Sequence, residues 1–424
     1  MSAALLSEVF AEFCESYTHL DSLLSKVPPA QKSKVATLLG SFLRRPMTTA
    51  ERYGIEIAKD ANEFWSLGFL KLKKSKAVHD LFRGMWEEKY ELPQDGSVKD
   101  FPPGLIEAFA KDWGQDSATQ MARLLSQDPL TTIRLNRRAF DADGNLIPLV
   151  EAWLKNGEIP KSRVGRISPM ARVFKGFARV QQNELFKAGL LEIQDEGSQV
   201  MSRYALDPNA VLPFLAAAPQ VQKIAGNVKW DKIPNVSGLT VIDACSGAGG
   251  KTLALADFME GKGRLFAYDI YASKIRALKE RVDRAQERNV KGLQLPEGDT
   301  AALEAFKETA DVVLVDAPCT GLGVLRRNPD IKWNRKPPSV KEAEAEISIE
   351  DLQRKVLASY APMVKLGGRL VFGVCTFAKS ESTDQVQAFL DTNPEFQLES
   401  GGFVGPFDTD GFYMASFRKN KMRR

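Results

Sequence analysis

The sequence predicts an α/β protein built on a doubly wound parallel sheet, preceded by a small α+β domain and a helical N-terminal region. Three observations carry that expectation. From about residue 200, short apolar runs alternate with amphipathic segments in a strand, loop and helix rhythm. A glycine-rich turn, VIDACSGAGGKT, follows the first of those runs. Two cysteines, Cys319 in DVVLVDAPCTGLG and Cys375 in GGRLVFGVCTF, each sit just past the end of a later run. Loops at the carboxyl ends of an open parallel sheet line the ligand crevice, so both thiols are expected to face one cleft.

In chain order, residues 1–95 read as helices. LLSEVFAEFCESYTHLDSLLSKV and SKVATLLGSFLRR space their apolar residues by three and four. KYELPQDGSVKDFPPG, rich in Pro, Gly and acids, reads as a linker. The small domain, 101–225, begins with a helical stretch, LIEAFAKDWGQDSATQMARLLSQ, followed by a strand, TTIRLNRRAF, and a helix, PLVEAWLKNG, ending at Gly157. In the last domain, 226–424, the strands expected are LTVID, RLFAYD, DVVLVD, GRLVFGV and FYMASF. The helices between them are KTLALADFM, ASKIRALKERVDRAQ, IEDLQRKVLASYAPMV and STDQVQAFLDT. FYMASF, last in the chain, is open to being an antiparallel insertion.

Composition limits the function. The hydrophobic fraction of 44% and charged fraction of 26% are a globular balance, and 424 residues call for two or three domains. No stretch reaches the roughly 18 uninterrupted apolar residues of a membrane span. The N-terminus has no basic region and carries acids early, unlike a signal peptide. Four cysteines without framework spacing suggest reduced thiols in a cytoplasm. With no CxxC and only His19 and His79, neither a metal site nor a Ser–His–Asp triad is expected. Nothing points away from a monomer. The +4 net charge is uneven. Residues 1–130 hold 16 Lys+Arg against 18 Asp+Glu, a net of −2, whereas 131–230 hold 14 against 9, a net of +5. That excess, which includes Arg134, Arg137 and Arg138, and the basic tail FRKNKMRR suggest a polyanionic partner; a solvated basic face is the alternative.

The turn from Cys245 through Ser246, Gly247, Ala248, Gly249 and Gly250 to Lys251 lets the backbone approach a ligand closely and opens a helix toward it. Its spacing is neither the dinucleotide fingerprint nor a Walker loop. Nineteen residues beyond Gly250, Asp269 ends a strand, where a carboxylate can hydrogen-bond both hydroxyls of an adenosine ribose. Asp299, in EGD, is placed to touch an adenine edge. The plain alternative is a generic tight βα turn. Cys319 and Cys375, each flanked by apolar residues, are singly most often core thiols. As a pair at adjacent strand ends, one in DAPC beside Asp316, they point to covalent chemistry.

Together, VDAPCTGLGVLRRNPDIKW, DACSGAGGKT and VCTF resemble the signature of RNA 5-methylcytosine methyltransferases of the RsmB/Sun (NOL/NOP/Sun) family. The upstream TTIRLNRRAF and ELFKAGLLEIQDEGSQ are also similar to that family's small domain, so the resemblance covers roughly 101–424. It implies a Rossmann-like class I methyltransferase sheet and S-adenosylmethionine as cofactor. It implies an RNA substrate, ribosomal RNA first and transfer RNA second. A non-catalytic, RNA-binding ribosome-assembly factor is the rival of another class. Cys375 matches the family's nucleophile, Cys319 its second cysteine and Asp316 the acid that engages the cytosine. The turn Cys245 to Lys251, with Asp269, Asp299 and Asp316, matches its cofactor residues. Arg326, Arg327, Lys332 and Trp333, in the same long loop, are placed to hold phosphates and stack a base; an ordinary surface loop is their alternative. Three features depart from the family: CSGAGGK where many members have an Ala-Ala-Pro version, no histidine before DGF, and no clear match of 1–95 to a NusB-like domain.

Overall fold

The computed structural model describes residues 3–16, 19–88, 93, 95–156, 161–175, 180–219, 229–295, 301–333 and 347–420. Asp299, Gly157 and the end of the basic tail lie outside the described residues. The chain forms two compact units: Met1–Pro129 with Thr320–Glu346 and Thr376–Ala378, and Leu130–Cys319 with Ile347–Cys375 and Lys379–Arg424.

The first unit is helical. Ala3–Ser16, Pro29–Arg44 and Lys76–Trp86 bury one face each, on Leu6, Phe10, Phe13, Leu39, Phe42, Val78, Leu81 and Phe82. Proline at the first position starts Pro29–Arg44, where its missing N–H costs nothing. Asp60 caps the short helix Ala61–Ser66 by accepting from the Glu63 amide at 2.8 Å. The single helix expected over 105–127 is two, Pro103–Trp113 and Gln115–Leu125. Gly114 breaks it at φ +83°, a conformation that suits only glycine. The expected linker is pinned where it is described. Asp100 is fully buried and accepts from the Thr48 amide at 2.9 Å, the Thr48 hydroxyl at 2.5 Å and the Ser97 amide at 2.9 Å.

The second unit carries two sheets. Strands β1 (Thr131–Leu135), β2 (Arg163–Val164), β3 (Ala171–Phe174) and β4 (Leu191–Ile193) form an antiparallel sheet in the order β2-β3-β1-β4. The larger sheet contains β5 (Thr240–Asp243), β6 (Arg264–Asp269), β7 (Val290–Gln294), β8 (Ala310–Asp316), β9 (Val364–Val374), β10 (Phe396–Val404) and β11 (Phe412–Lys419). Its order is β10-β11-β9-β8-β5-β6-β7. The five strands β5 to β9 pair in parallel, and β11 runs antiparallel between β9 and β10. This is the doubly wound, Rossmann-like sheet expected, and FYMASF is its antiparallel insertion.

β5, β8 and the second half of β9, from Leu370 on, are buried on both faces, as the central strands of a parallel sheet must be, while Lys365 and Leu366 at the start of β9 are exposed. Chain order reverses between β5 and β8, so the loops leaving these two strands open the crevice between them. Among the described residues no helix is long and apolar enough to cross a membrane.

Candidate active site

The glycine turn leaves the carboxyl end of β5 and feeds the helix Gly250–Phe258. Gly249 has φ +88°, and a Cβ there would lie 2.2 Å from Leu278 Cδ1, so no side chain fits. Gly247 has φ +53° and nothing within 4 Å of the missing Cβ, which leaves its backbone open to a ligand. The turn is tied to β6. The Ser246 amide donates to the Tyr268 carbonyl at 2.8 Å, and the Gly247 amide to Asp269 Oδ2 at 2.9 Å. Asp269 Oδ1 accepts from the Tyr271 amide at 2.8 Å. Each carboxylate oxygen has thus accepted one bond and keeps acceptor capacity for a pair of hydroxyls.

Two further polar atoms of this turn are buried without a hydrogen-bond partner, Ser246 Oγ and Asp243 Oδ1. Unsatisfied groups of this kind mark a place where a ligand completes the structure. Asp243 is fully buried and its other oxygen accepts from the Thr252 hydroxyl at 2.7 Å. Burial pushes its carboxyl up to about 7, and the charges of Asp316 and Asp269 add to the effect. The Cys245 thiol is raised too, by burial first and then by Asp316, Asp243 and Asp269. Three carboxyl groups thus share one small volume, with Asp243 pushed toward its protonated form and Asp316 paired with Lys251. The sequence reading did not include Asp243; its place at the end of β5, as Asp269 ends β6 and Asp316 ends β8, was the available signal.

The strand ends of β8 and β9 bring the expected chemistry together. Cys319 Sγ and Cys375 Sγ lie 3.2 Å apart as free thiols. Cys319 is pushed well up, first by its hydrogen bond to Cys375, then by burial and by the Cys375 and Glu381 charges. The two sulfurs are within hydrogen-bond distance, and either thiol can be the donor. Lys251 Nζ donates to Asp316 Oδ2 at 2.5 Å. Burial alone would lower the Lys251 ammonium, but Asp316, Cys375 and Asp243 outweigh it and the net direction is up. Lys251 is thus a fixed cation within electrostatic reach of Cys375, 5.6 Å from the centre of the Phe412 ring. Phe412 belongs to the DGF segment that lacks the family histidine.

The residues expected to hold RNA need correction. Arg134 is fully buried, donating from Nη1 to Asp257 Oδ2 at 2.8 Å and from Nε to Gln194 Oε1 at 2.9 Å. Arg137 donates to Glu287 Oε1 at 2.5 Å, and its backbone amide to Asp257 Oδ1 at 2.8 Å. Arg138 reaches the Ala188 and Ala285 carbonyls at 3.2 and 3.4 Å. These arginines join elements of the second unit, since Asp257, Glu287 and the helix Ala272–Ala285 belong to the larger sheet's half. In the first unit, Trp333 is only 2% exposed, with Trp65 4.9 Å away and Phe69 stacked at 6.0 Å. Its indole donates to the Leu43 carbonyl at 3.2 Å. Lys332 is buried, donating to the Arg44 carbonyl and, at 2.7 Å, to that of Asp100. Arg326 is buried and its carbonyl accepts from Arg44 at 2.9 Å. A buried indole and ammonium offer no stacking face or phosphate contact. Of this loop's four, only Arg327 keeps partial exposure.

Residues 234–418 match the family described as 16S rRNA methyltransferase RsmB/F. The chain belongs to the RsmB/F methyltransferase family. The probable ribosomal RNA small subunit methyltransferase B of Bacillus subtilis (strain 168) is 30% identical over 345 residues, covering 75% of this chain and 66% of that protein. The protein of the same name from Synechocystis is 25% identical over 443 residues, covering 94% of this chain and 85% of its own length. The solved structure of NSun6 from Pyrococcus horikoshii with SFG superposes with a TM-score of 0.58 at 19% identity, over 76% of this chain and 99% of its own. That likeness establishes the fold. The RsmB/F assignment agrees with the resemblance carried by the glycine turn, DAPC and VCTF.

Proposed function

We propose that this protein transfers a methyl group from S-adenosylmethionine to carbon 5 of cytosine in RNA, ribosomal RNA first, through a covalent bond between Cys375 and the base. The observation that carries the reading is the pair of free thiols 3.2 Å apart, with Asp316 and Lys251 joined at the neighbouring strand end. Family membership and the names of the Bacillus and Synechocystis relatives support RNA methylation, and ribosomal RNA as the first substrate to test.

S-adenosylmethionine supplies an electrophilic methyl carbon on a positively charged sulfur. The residues present fit it. Asp269 has acceptor capacity for ribose hydroxyls, Gly247 leaves room for the backbone approach, and Asp269 and Asp316 put carboxylates beside the turn where a cation can sit.

Carbon 5 of cytosine is a poor nucleophile. Addition of the Cys375 thiolate to carbon 6 forms an Sγ–C6 bond and makes carbon 5 electron-rich enough to take a methyl group. Asp316 engages the ring edge at nitrogen 3, where charge develops during the attack. The carbon 5 proton must then leave, and the Sγ–C6 bond breaks as the ring is restored. Cys319 is the base for that step. Cys319 first gives up its own proton to solvent, and as a thiolate 3.2 Å from Cys375 it takes the carbon 5 proton while the Cys375 sulfur leaves carbon 6. The target base must be unpaired or flipped to enter.

The test is methyl transfer from labelled S-adenosylmethionine to total RNA, followed by bisulfite sequencing of RNA from cells with and without the protein. A cytosine in ribosomal RNA that loses protection without the protein is the expected result. Loss confined to transfer RNA would move the substrate, and no transfer to any RNA would leave the assembly-factor reading.

A further inference from the structure

We propose that Gln353 and Glu381 are positioning residues that hold the Cys319 loop in register with the Cys375 loop, a proposal that rests on the two-thiol reading above. The helix Ile349–Tyr360 buries Gln353, Leu357 and Tyr360, one face at positions i, i+4 and i+7. That face calls for an apolar residue at each position. Gln353 instead places an amide fully out of solvent. Its nitrogen is fully engaged while its oxygen, Oε1, is buried without a hydrogen-bond partner, so the donors are what the site uses.

Gln353 Nε2 donates to the Pro318 carbonyl at 2.9 Å and to Glu381 Oε2 at 3.2 Å. Both partners are acceptors, so the amide must turn its nitrogen toward them, and both of its N–H groups are engaged. Pro318 directly precedes Cys319, and Glu381 lies six residues past Cys375. One side chain therefore ties the loop leaving β8 to the turn Lys379–Glu381 that follows β9. Glu381 is itself buried, so this tie is shielded from water and from salt.

The pair also acts electrically on the chemistry. The charge of Glu381 is among the influences that keep Cys319 protonated, after the Cys375 hydrogen bond, burial and the Cys375 charge. Gln353 and Glu381 thus do two things for one thiol. They fix the backbone that carries Cys319, and the charge of Glu381 helps keep that thiol protonated.

The test compares the full-length protein with Gln353→Met, which keeps the side chain's length and removes both donors. Steady-state methylation of RNA, calorimetry with S-adenosylmethionine, and iodoacetamide labelling of each cysteine read by mass spectrometry are measured together. In Gln353→Met, kcat is expected to fall by about tenfold or more, because small displacements of reacting groups are that costly. Cofactor affinity stays within about twofold, since Gly247, Asp243 and Asp269 lie at other strand ends and Asp316 is held separately by Lys251. The ratio of Cys319 to Cys375 labelling changes. A folded Gln353→Met with parental kcat and parental labelling ratio overturns the proposal. If that variant fails to fold, Glu381→Gln decides the matter, since it keeps the shape and removes the charge. Faster labelling of Cys319 at fixed pH, by about threefold, supports the role, and unchanged labelling overturns it. If the parent protein itself methylates no cytosine, the proposed function fails while the labelling comparison still reads the tie.

Discussion

Lys251 and Asp316 form an ion pair, Nζ to Oδ2 at 2.5 Å, that joins the helix after the glycine turn to the DAPC loop. The pair links the region expected to hold the cofactor to the region expected to hold the base, so its two halves are expected to fail differently. Asp316→Ala removes the group that engages the cytosine and should lower kcat/KM by roughly a hundredfold. Lys251→Met removes the cation near Cys375 and should slow iodoacetamide labelling of that thiol. Equal labelling of Cys375 in parent and variant would remove Lys251 from that role.

Asp269 is expected to hold the cofactor ribose. It already fixes the turn through the Gly247 amide, so Asp269→Ala loosens the turn and removes the hydroxyl acceptor together. S-adenosylmethionine binding should weaken by about 1–3 kcal/mol. Calorimetry that shows parental affinity in a folded variant would take Asp269 out of the site.

Asp243 gives the ligand-free protein a pH signature. Its carboxyl is pushed up to about 7 by burial, from an ordinary value of 3.8. Between those values the folded state holds a proton that the unfolded chain has released. Stability from this group is therefore present at low pH and lost as pH rises through that interval, by up to ~1.4 kcal/mol per pH unit. Denaturant unfolding across the interval should show a flatter pH dependence in Asp243→Asn than in the parent. Parallel curves would show that Asp243 is charged throughout.

Trp333 is expected to matter for folding of the first unit and not as a stacking platform. It contacts Phe10, Phe13, Phe42, Phe64, Trp65 and Phe69. Trp333→Ala should destabilise that unit by about 3–5 kcal/mol, the usual cost of emptying a core aromatic site. Trp333→Phe should restore most of the stability. Loss of RNA affinity in Trp333→Ala with an unchanged melting profile would return the ring to the RNA surface.

The parts of the fold that were legible share one physical trait. β5, β8 and the LVFGV half of β9 are buried on both faces and read as apolar runs bounded by glycine, aspartate and cysteine. β7, VKGLQ, has no fully buried residue because it is the edge strand, and β10 contains adjacent glycines and an exposed Leu398, so neither announces itself. The cysteine pair was legible because each thiol directly follows a buried strand. The internal partners of Arg134 and Arg137 were not legible because a local count of charge cannot see a partner far along the chain. Arg134 meets Asp257, 123 residues on. Trp333 was misread for the same reason, since RRNPDIKW is polar in sequence and its apolar neighbours lie in residues 10–69. Gln353 and Glu381 looked like the polar side of ordinary helices and turns, and only their shared contact reveals them.

The most direct test is denaturing electrophoresis of the two cysteine variants after incubation with RNA and S-adenosylmethionine. Attack and release are separate barriers, so removing one thiol should stop the reaction at a different place from removing the other. Cys319→Ala should attack, methylate and then stall as a protein–RNA adduct that ribonuclease digests. Cys375→Ala should form no adduct and transfer no methyl group. An adduct from Cys375→Ala with none from Cys319→Ala would reverse the two roles, and intact methylation without an adduct in both variants would contradict covalent catalysis by this pair.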